Sequence, residues 1–378
     1  MKPLPLLLTL AGAAVLAAIV LVALRPDSGK PEDALPDPAP LPISGNEMPE
    51  PPPSPQPPLI AEPFTPDREL LAFVEKELAL NFAEEPVFTP VPAETIISKV
   101  TSGLPAVVPD KDRRQLNLVA QRLGALPPFQ PLDHTLITIL AGEVRGLVTA
   151  DENLIMHDFQ ASSPPEQAAL VNLLAQRLAR AHLPPRRVAG SLDELLARHF
   201  AVQVLALKVE KKFRETLPSY PPSLNENIRE SILLGLPAFF HELSTFAEFH
   251  LLARLKEAPP AAAQDLLREA TSSTRRLLAY PLLPASDLPA EAELGALTLY
   301  LFLLESSDPA TARTLATGLR HDSILVAEEQ LTWSLQFDQA ASTPRVAEIL
   351  RGYFSLRDPE GKVAITVAGD TLEVLVRP

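Results

Sequence analysis

The sequence predicts an α+β, mainly helical body with short β-hairpins, preceded by one transmembrane helix and a proline-rich linker. Three observations carry this. Residues 3–24, PLPLLLTLAGAAVLAAIVLVAL, hold no charge. Residues 26–65 are dense in proline and acid. From Thr65 on, apolar residues recur mostly at helical spacing and at period two only in short runs.

The first segment, 1–25, is long enough for the hydrocarbon core, which takes about 20 apolar residues in a helix, and a helix satisfies its own backbone there. A cleaved secretory signal has a shorter apolar core and a small-x-small site. Here Leu21-Val22-Ala23-Leu24 precede Arg25, and Ala11-Gly12-Ala13 comes too early. The segment therefore predicts an uncleaved, single-pass anchor touching the membrane through residues 4–24. A chain without cysteine cannot be processed as a lipoprotein. The short tail before the span and the long region after it predict the N-terminus inside and the bulk outside. The expectation is a membrane-anchored chain with an extracytoplasmic body, which in a bacterium means the cell membrane and the periplasm.

Residues 26–65 contain PEDALPDPAPLP and PEPPPSPQPPL. Proline fixes φ and removes the amide donor, so neither helix nor ladder can form. The segment predicts a disordered polyproline II spacer, reaching about 120 Å at ~3.1 Å per residue. The body, 66–356, opens with Thr65 as N-cap, Pro66 at N1 and Leu70, Leu71, Val74 and Leu78 at helical spacing. Helices are predicted over 112–123, 133–144, 165–181, 192–216, 225–257, 261–278, 291–304 and 344–354. Gly146–Val148 with 154–156 forms a first hairpin, and 323–326 with 331–337 a second. Residues 357–378 close the chain as a third, 362–367 with 371–376, turning at Gly369-Asp370 and alternating Val363, Ile365 and Val367 on one face.

The net charge of −14 argues against a nucleic-acid partner, which needs clustered Lys and Arg. The absence of cysteine removes disulfides and thiolate metal sites. No nucleophile elbow, phosphate loop or dinucleotide fingerprint is present. Arg177, Arg180, Arg186 and Arg187 form a basic cluster, read as a solvated face, with an acidic partner or lipid headgroup as the alternative. Zinc on a helix takes two histidines at i and i+4, with a glutamate beside the first. His241-Glu242 is a near miss, because Thr245 stands at i+4. His241 and Glu248 are seven apart and share a helical face, with His250 following; His199 is a further single candidate.

The stretch Leu170-Val171-Asn172-Leu173-Leu174-Ala175-Gln176-Arg177-Leu178-Ala179-Arg180-Ala181-His182 resembles the metal-binding helix of a bacterial envelope family of presumptive zinc metallopeptidases, whose form is LAHELxHALQDQH. Leu170, Leu174, Leu178 and His182 match its frame. Asn172 stands at the first ligand, Leu173 at the general base and Gln176 at the second ligand. Ala197-Arg198 and Ala206 match the context of the family's third ligand and place Gln203 at its glutamate. LLAFVEKELALNFAEEPVFTPVP, GEVRGLVTADENLIM, Ala258-Pro259-Pro260 with Gln264, Glu293-Leu294-Gly295 and LTWSLQFD resemble further family segments in the same order. The resemblance implies a zincin-like helical body whose ligands and base are all replaced. Amides bind zinc far more weakly than imidazole or carboxylate, and leucine takes no proton.

The expectation is therefore a pseudopeptidase that holds no cofactor and binds or scaffolds an envelope protein or peptide, with Asn172, Gln176 and Gln203 converging under one cleft. Two alternatives stand beside it. One is an active hydrolase with a zinc site rebuilt around His241, Glu248 and His250, or around His199. The other is a structural envelope protein that docks a partner.

Overall fold

The computed structural model describes residues 64–92, 110–135, 146–148, 154–157, 163–185, 192–218, 234–255, 258–281, 294–327, 330–358 and 360–377, with single residues at 95, 98 and 231. The expected anchor and spacer lie outside the described residues, apart from the first bridge at Phe64. Among the described residues no helix is long and apolar enough to cross a membrane. The body is α+β and mainly helical, as the periodicity predicts.

Helix α1 (Arg68–Leu78) buries Leu71, Val74 and Leu78 and ends at Ala79 in the left-handed region. Strand β1 (Val87–Pro90) follows. Its Phe88 exchanges two backbone hydrogen bonds, of 2.9 and 2.8 Å, with Phe64. Helix α2 (Asp110–Arg122) comes next, and residues 132–135 are helical; the rest of the helix expected over 133–144 lies outside the described residues. Strands β2 (Gly146–Val148) and β3 (Leu154–His157) pair antiparallel as the first hairpin, with Leu147 opposite Met156. β1 joins them in parallel, giving the order β1-β3-β2. β1 lies in a proline-rich stretch, following Pro86 and ending on Pro90. Proline is tolerated because β1 is an edge strand that can forgo a donor.

Helix α3 (Pro164–Ala181) starts on a capping box, with Ser163 N donating to Glu166 Oε2 at 3.0 Å. Helix α4 (Leu192–Arg214), about 35 Å long at ~1.5 Å per residue, packs along it. Two long expected helices are broken. The one expected over 225–257 is interrupted by a turn at 235–237, where Pro237 caps α5 (Ala238–Phe246). A π-turn (Ala247–Leu251) carries α5 into α6 (Leu252–Leu255). The one expected over 261–278 becomes α7 (Ala262–Asp265), a second π-turn (Leu266–Ala270) and α8 (Thr274–Ala279). Ser273 Oγ accepts from Arg276 N at 3.3 Å and restarts the chain as α8.

Helix α9 (Gly295–Leu304) is apolar all round and buried from Gly295 to Leu303. It touches α4, α5, α8, the next helix, the late sheet and the last helix, so it forms the centre of the core. Helix α10 (Pro309–Thr317), absent from the sequence expectation, is capped by Asp308 Oδ1, which accepts from Ala310 N and Thr311 N at 3.0 Å. Strands β4 (Leu319–Ala327) and β5 (Gln330–Phe337) form the second hairpin. Helix α11 (Thr343–Ser355) follows, then β6 (Val363–Ala368) and β7 (Thr371–Val376). The two late hairpins are one antiparallel sheet of order β4-β5-β7-β6, because β5 pairs with β7. Leu331, Trp333, Leu335 and Phe337 of β5 and Leu372, Val374 and Val376 of β7 point into the core. The apolar face of edge strand β6 is only partly covered, and Val367 is 39% exposed.

Candidate functional site

The α3–α4 seam contains all four positions that the family resemblance singles out. Asn172, Gln176 and Arg180 are spaced four apart, so they project in one row from α3. Gln176 Nε2 donates to Asn172 Oδ1 at 2.7 Å, and Arg180 Nη2 donates to Gln176 Oε1 at 3.3 Å. Asn172 Nδ2 crosses to α4 and donates to Glu210 Oε2 at 2.7 Å. Glu210 Oε1 is held from the same helix by Arg214 Nη2 at 2.7 Å and Nε at 2.9 Å. The row is a ladder in which each amide oxygen and each carboxylate oxygen accepts from a neighbour.

Leu173 is buried core. Gln203 lies on α4, one turn from His199, whose ring it meets as a side-chain partner, and hydrogen-bonds to neither Asn172 nor Gln176. The expected convergence of three amides is thus met by Asn172 and Gln176 and not by Gln203. Glu210, two turns beyond Gln203 on the same face, takes the place across from Asn172. The sequence held only its seven-residue spacing from Gln203 as a signal.

The donor set does not fit zinc. Two neutral amides are consumed by each other, the carboxylate is committed to Arg214 and Asn172, and leucine stands where a base would be needed. Among the described residues no group of three or more His, Cys, Asp or Glu is arranged to hold a metal ion.

Beside this ladder lie His199 and two cations. Burial pushes the His199 imidazole down to about 3, and Arg180 adds to that, so the ring is neutral. Gln203 opposes that fall as the ring's side-chain partner, and Nε2 is sealed from solvent. Arg180 is pulled down to about 10, first by burial and then by Arg177. The expected solvated basic face is therefore corrected for Arg177 and Arg180, which are sunk in the seam because their helix is buried there. Arg186 and Arg187 lie outside the described residues.

The second candidate set is rearranged by the π-turn. In a regular α-helix, residues seven apart share a face, and residues eight apart diverge by about 80°. A π-turn accommodates one extra residue, so the eighth residue falls where the seventh would have been. Glu242 rather than His241 therefore meets the later histidine: His250 Nε2 lies 3.1 Å from Glu242 Oε2. His250 Nδ1 lies 2.9 Å from Tyr300 Oη. His241 Nδ1 is 3.8 Å from Glu242 Oε1, and Glu248 is exposed, so the expected His241–Glu248 pairing does not occur. Both nitrogens of His250 are committed to protein partners. The Tyr300 hydroxyl is pushed up to about 12, first by burial and then by Glu242, and stays protonated as a bridge.

A third polar set lies in the core. Asp193 Oδ1 accepts from Thr274 N at 3.1 Å and from the Thr274 hydroxyl, which in turn accepts from Leu297 N at 3.0 Å. Asp322 accepts from Leu294 N at 3.0 Å, Gly295 N at 3.2 Å and Trp333 Nε1 at 3.1 Å. The two carboxylates together close the start of α9. Gly295 has φ +79, and a methyl group there would overlap the Asp193 carboxylate, so glycine is required twice over. No family model matches the chain, and no curated protein or solved structure matches it either.

Proposed function

We propose that the chain is a membrane-anchored, extracytoplasmic binding or scaffolding protein whose zincin-like body is non-catalytic. The observation that carries this reading is the Gln176–Asn172–Glu210–Arg214 ladder. At the positions where the sequence resembles a metal-binding helix, the polar groups are spent on joining α3 to α4. Amides keep the size and polarity of the residues they replace and supply donors as well as acceptors, so the seam holds together without a cation. The hairpin ahead of α3 and the order of the resembling segments support the same ancestry. The uncharged segment 3–24 and the proline-rich spacer support a body tethered at a distance from the bilayer, with an envelope protein or peptide as partner.

The test is made on the purified full chain, exposed to zinc and dialysed. Metal analysis should find far less than one zinc per chain, and fluorogenic peptides should remain uncut. One zinc per chain together with chelator-sensitive peptide hydrolysis would overturn the reading. In intact spheroplasts an added protease should remove a C-terminal epitope; full protection would overturn the proposed orientation.

A further inference from the structure

The late sheet has two edges, and only one of them is guarded. Strand β4 breaks its register between Leu319 and His321 and carries Arg320, His321 and Asp322 there. Bulges and charges keep an edge from adding a further strand. Strand β6 has neither: its six residues run in unbroken register along β7, without a charge or a proline. The ladder fixes which of its groups face outward. Arg377 N donates to Lys362 O at 3.1 Å, so Lys362 and Arg377 are a bonded pair. Bonded and non-bonded pairs alternate in an antiparallel ladder, so Ala364, Thr366 and Ala368 also bond to β7. Val363, Ile365 and Val367 turn their amides and carbonyls away from it. Two contacts agree with this. Val363 N donates to Asp358 Oδ2 at 2.7 Å, and Arg351 Nη2 donates to Ile365 O at 3.2 Å. Ile365 N, Val367 N and Val367 O have no such partner among the described residues.

We propose that β6 pairs antiparallel with β6 of a second copy of this chain, with Thr366 opposite Thr366 on the two-fold axis. This register sets Ile365 of each copy opposite Val367 of the other. Both residues point their backbone groups outward, so each such pair exchanges both hydrogen bonds. The Asp358 cap on Val363 N stays in place, and only the exposed Arg351 contact to Ile365 O gives way. Charge supports a second copy as the occupant. The uncharged strand has Lys362 before it and Asp370 after it, and the same register stands Lys362 of one copy across from Asp370 of the other. These side chains remain 43% and 40% exposed beside Glu360 and Arg320 of their own chain. Parallel pairing brings like charges together instead. The threonines meet as a close cross-strand pair on the outer face. On the inner face Ile365 covers Val367, which is 39% exposed in the single chain. One edge serves both copies, so the contact is isologous and closes at two. The pairing goes beyond the binding reading above and does not depend on whether the body is catalytic.

Sedimentation equilibrium of the purified full chain should give twice the monomer mass. Val367→Lys places a charge on the open edge and should return the mass to that of the monomer, with Trp333 emission unchanged. The chain has no cysteine, so single cysteines report the register. Thr366→Cys sets two thiols across a non-bonded pair, with Cα atoms about 4.5 Å apart, within the span of a disulfide. Mild oxidation should link it into a covalent dimer. Glu373→Cys lies opposite Thr366 on the neighbouring β7 and is three strand spacings, about 14 Å, from its counterpart. It should stay unlinked. A monomer at every concentration, a dimer that Val367→Lys leaves intact, linkage of Glu373→Cys as fast as that of Thr366→Cys, or assembly beyond two copies overturns the pairing. Should Val367→Lys fail to fold, the two cysteine variants, both at exposed positions, decide by themselves.

Discussion

At Asp193 the cost of burying a charge exceeds what two hydrogen bonds from Thr274 return, and the carboxyl is pushed up to about 7. An unfolded aspartate titrates near 3.9, so between roughly pH 4 and 7 the folded chain holds a proton that the unfolded chain has released. Stability from this residue is fully present below that window and falls as pH rises through it, by on the order of 1.4 kcal/mol per unit. Asp193→Asn keeps the shape and the acceptor while removing the charge. Denaturation curves at pH 5 and pH 8 should show the variant gaining on the parent as pH rises; parallel behaviour of the two would refute the assignment. None of this was legible in the sequence, where Asp193 is one acid in the first turn of a long helix. Glu210 was equally silent, and Glu242 stood out only beside His241, because a carboxylate's role depends on which helix lies opposite. Asn172, Leu173 and Gln176 were singled out by a resemblance in the sequence, but only coordinates pair Asn172 with Glu210.

The helical elements were legible where their signals are local. The helix over 165–181 and the alternation of β7 rest on residues close in the chain, whereas the start expected at Thr65-Pro66 falls later, with Asp67 as N-cap and the helix opening at Arg68. The breaks were less so. Pro237 and Ser273 interrupt runs whose apolar spacing reads as continuous, and the short α10 carries too few apolar residues to declare a period. The π-turn at Ala247–Leu251 is invisible to a 3.6-residue template, and it decides which histidine meets which glutamate. It also makes a prediction at this scale. Phe249 is 62% exposed and lies within the turn, so it is the residue whose removal disturbs the core least. Deleting it should let α5 and α6 merge into one regular helix with Glu242 and the histidine still aligned, at a cost under about 1 kcal/mol, as for surface changes. Deleting Ala201 from the regular α4 instead rotates everything after it by about 100° and should unfold the chain. Thermal melts followed by circular dichroism compare the two deletions; equal damage would show that the turn holds no spare residue.

Across the whole molecule, the late sheet joins segments far apart in sequence, since β5 is flanked by β4 and, beyond α11, by β7. The hairpins were each readable from alternation and turn residues, but their fusion was not, because nothing local says that β5 has a second partner. Truncation after Leu356 removes the inward Leu372, Val374 and Val376, worth about 1.5–3 kcal/mol each. Their sum is comparable to the ~5–15 kcal/mol stability of a whole domain. The chain has one tryptophan, and Trp333 is fully buried on the strand that would lose its neighbour. Its emission should shift to the red in the truncated protein; an unchanged spectrum would mean that the sheet closes without β6 and β7.

The Phe64–Phe88 bridge sets how the body answers a pull. Its backbone bonds and two stacked rings, 5.4 Å apart, come first in the chain among the described residues, ahead of α1, which is packed against α3 and α4. A force applied at Phe64 therefore loads this margin of the small sheet before it loads α1.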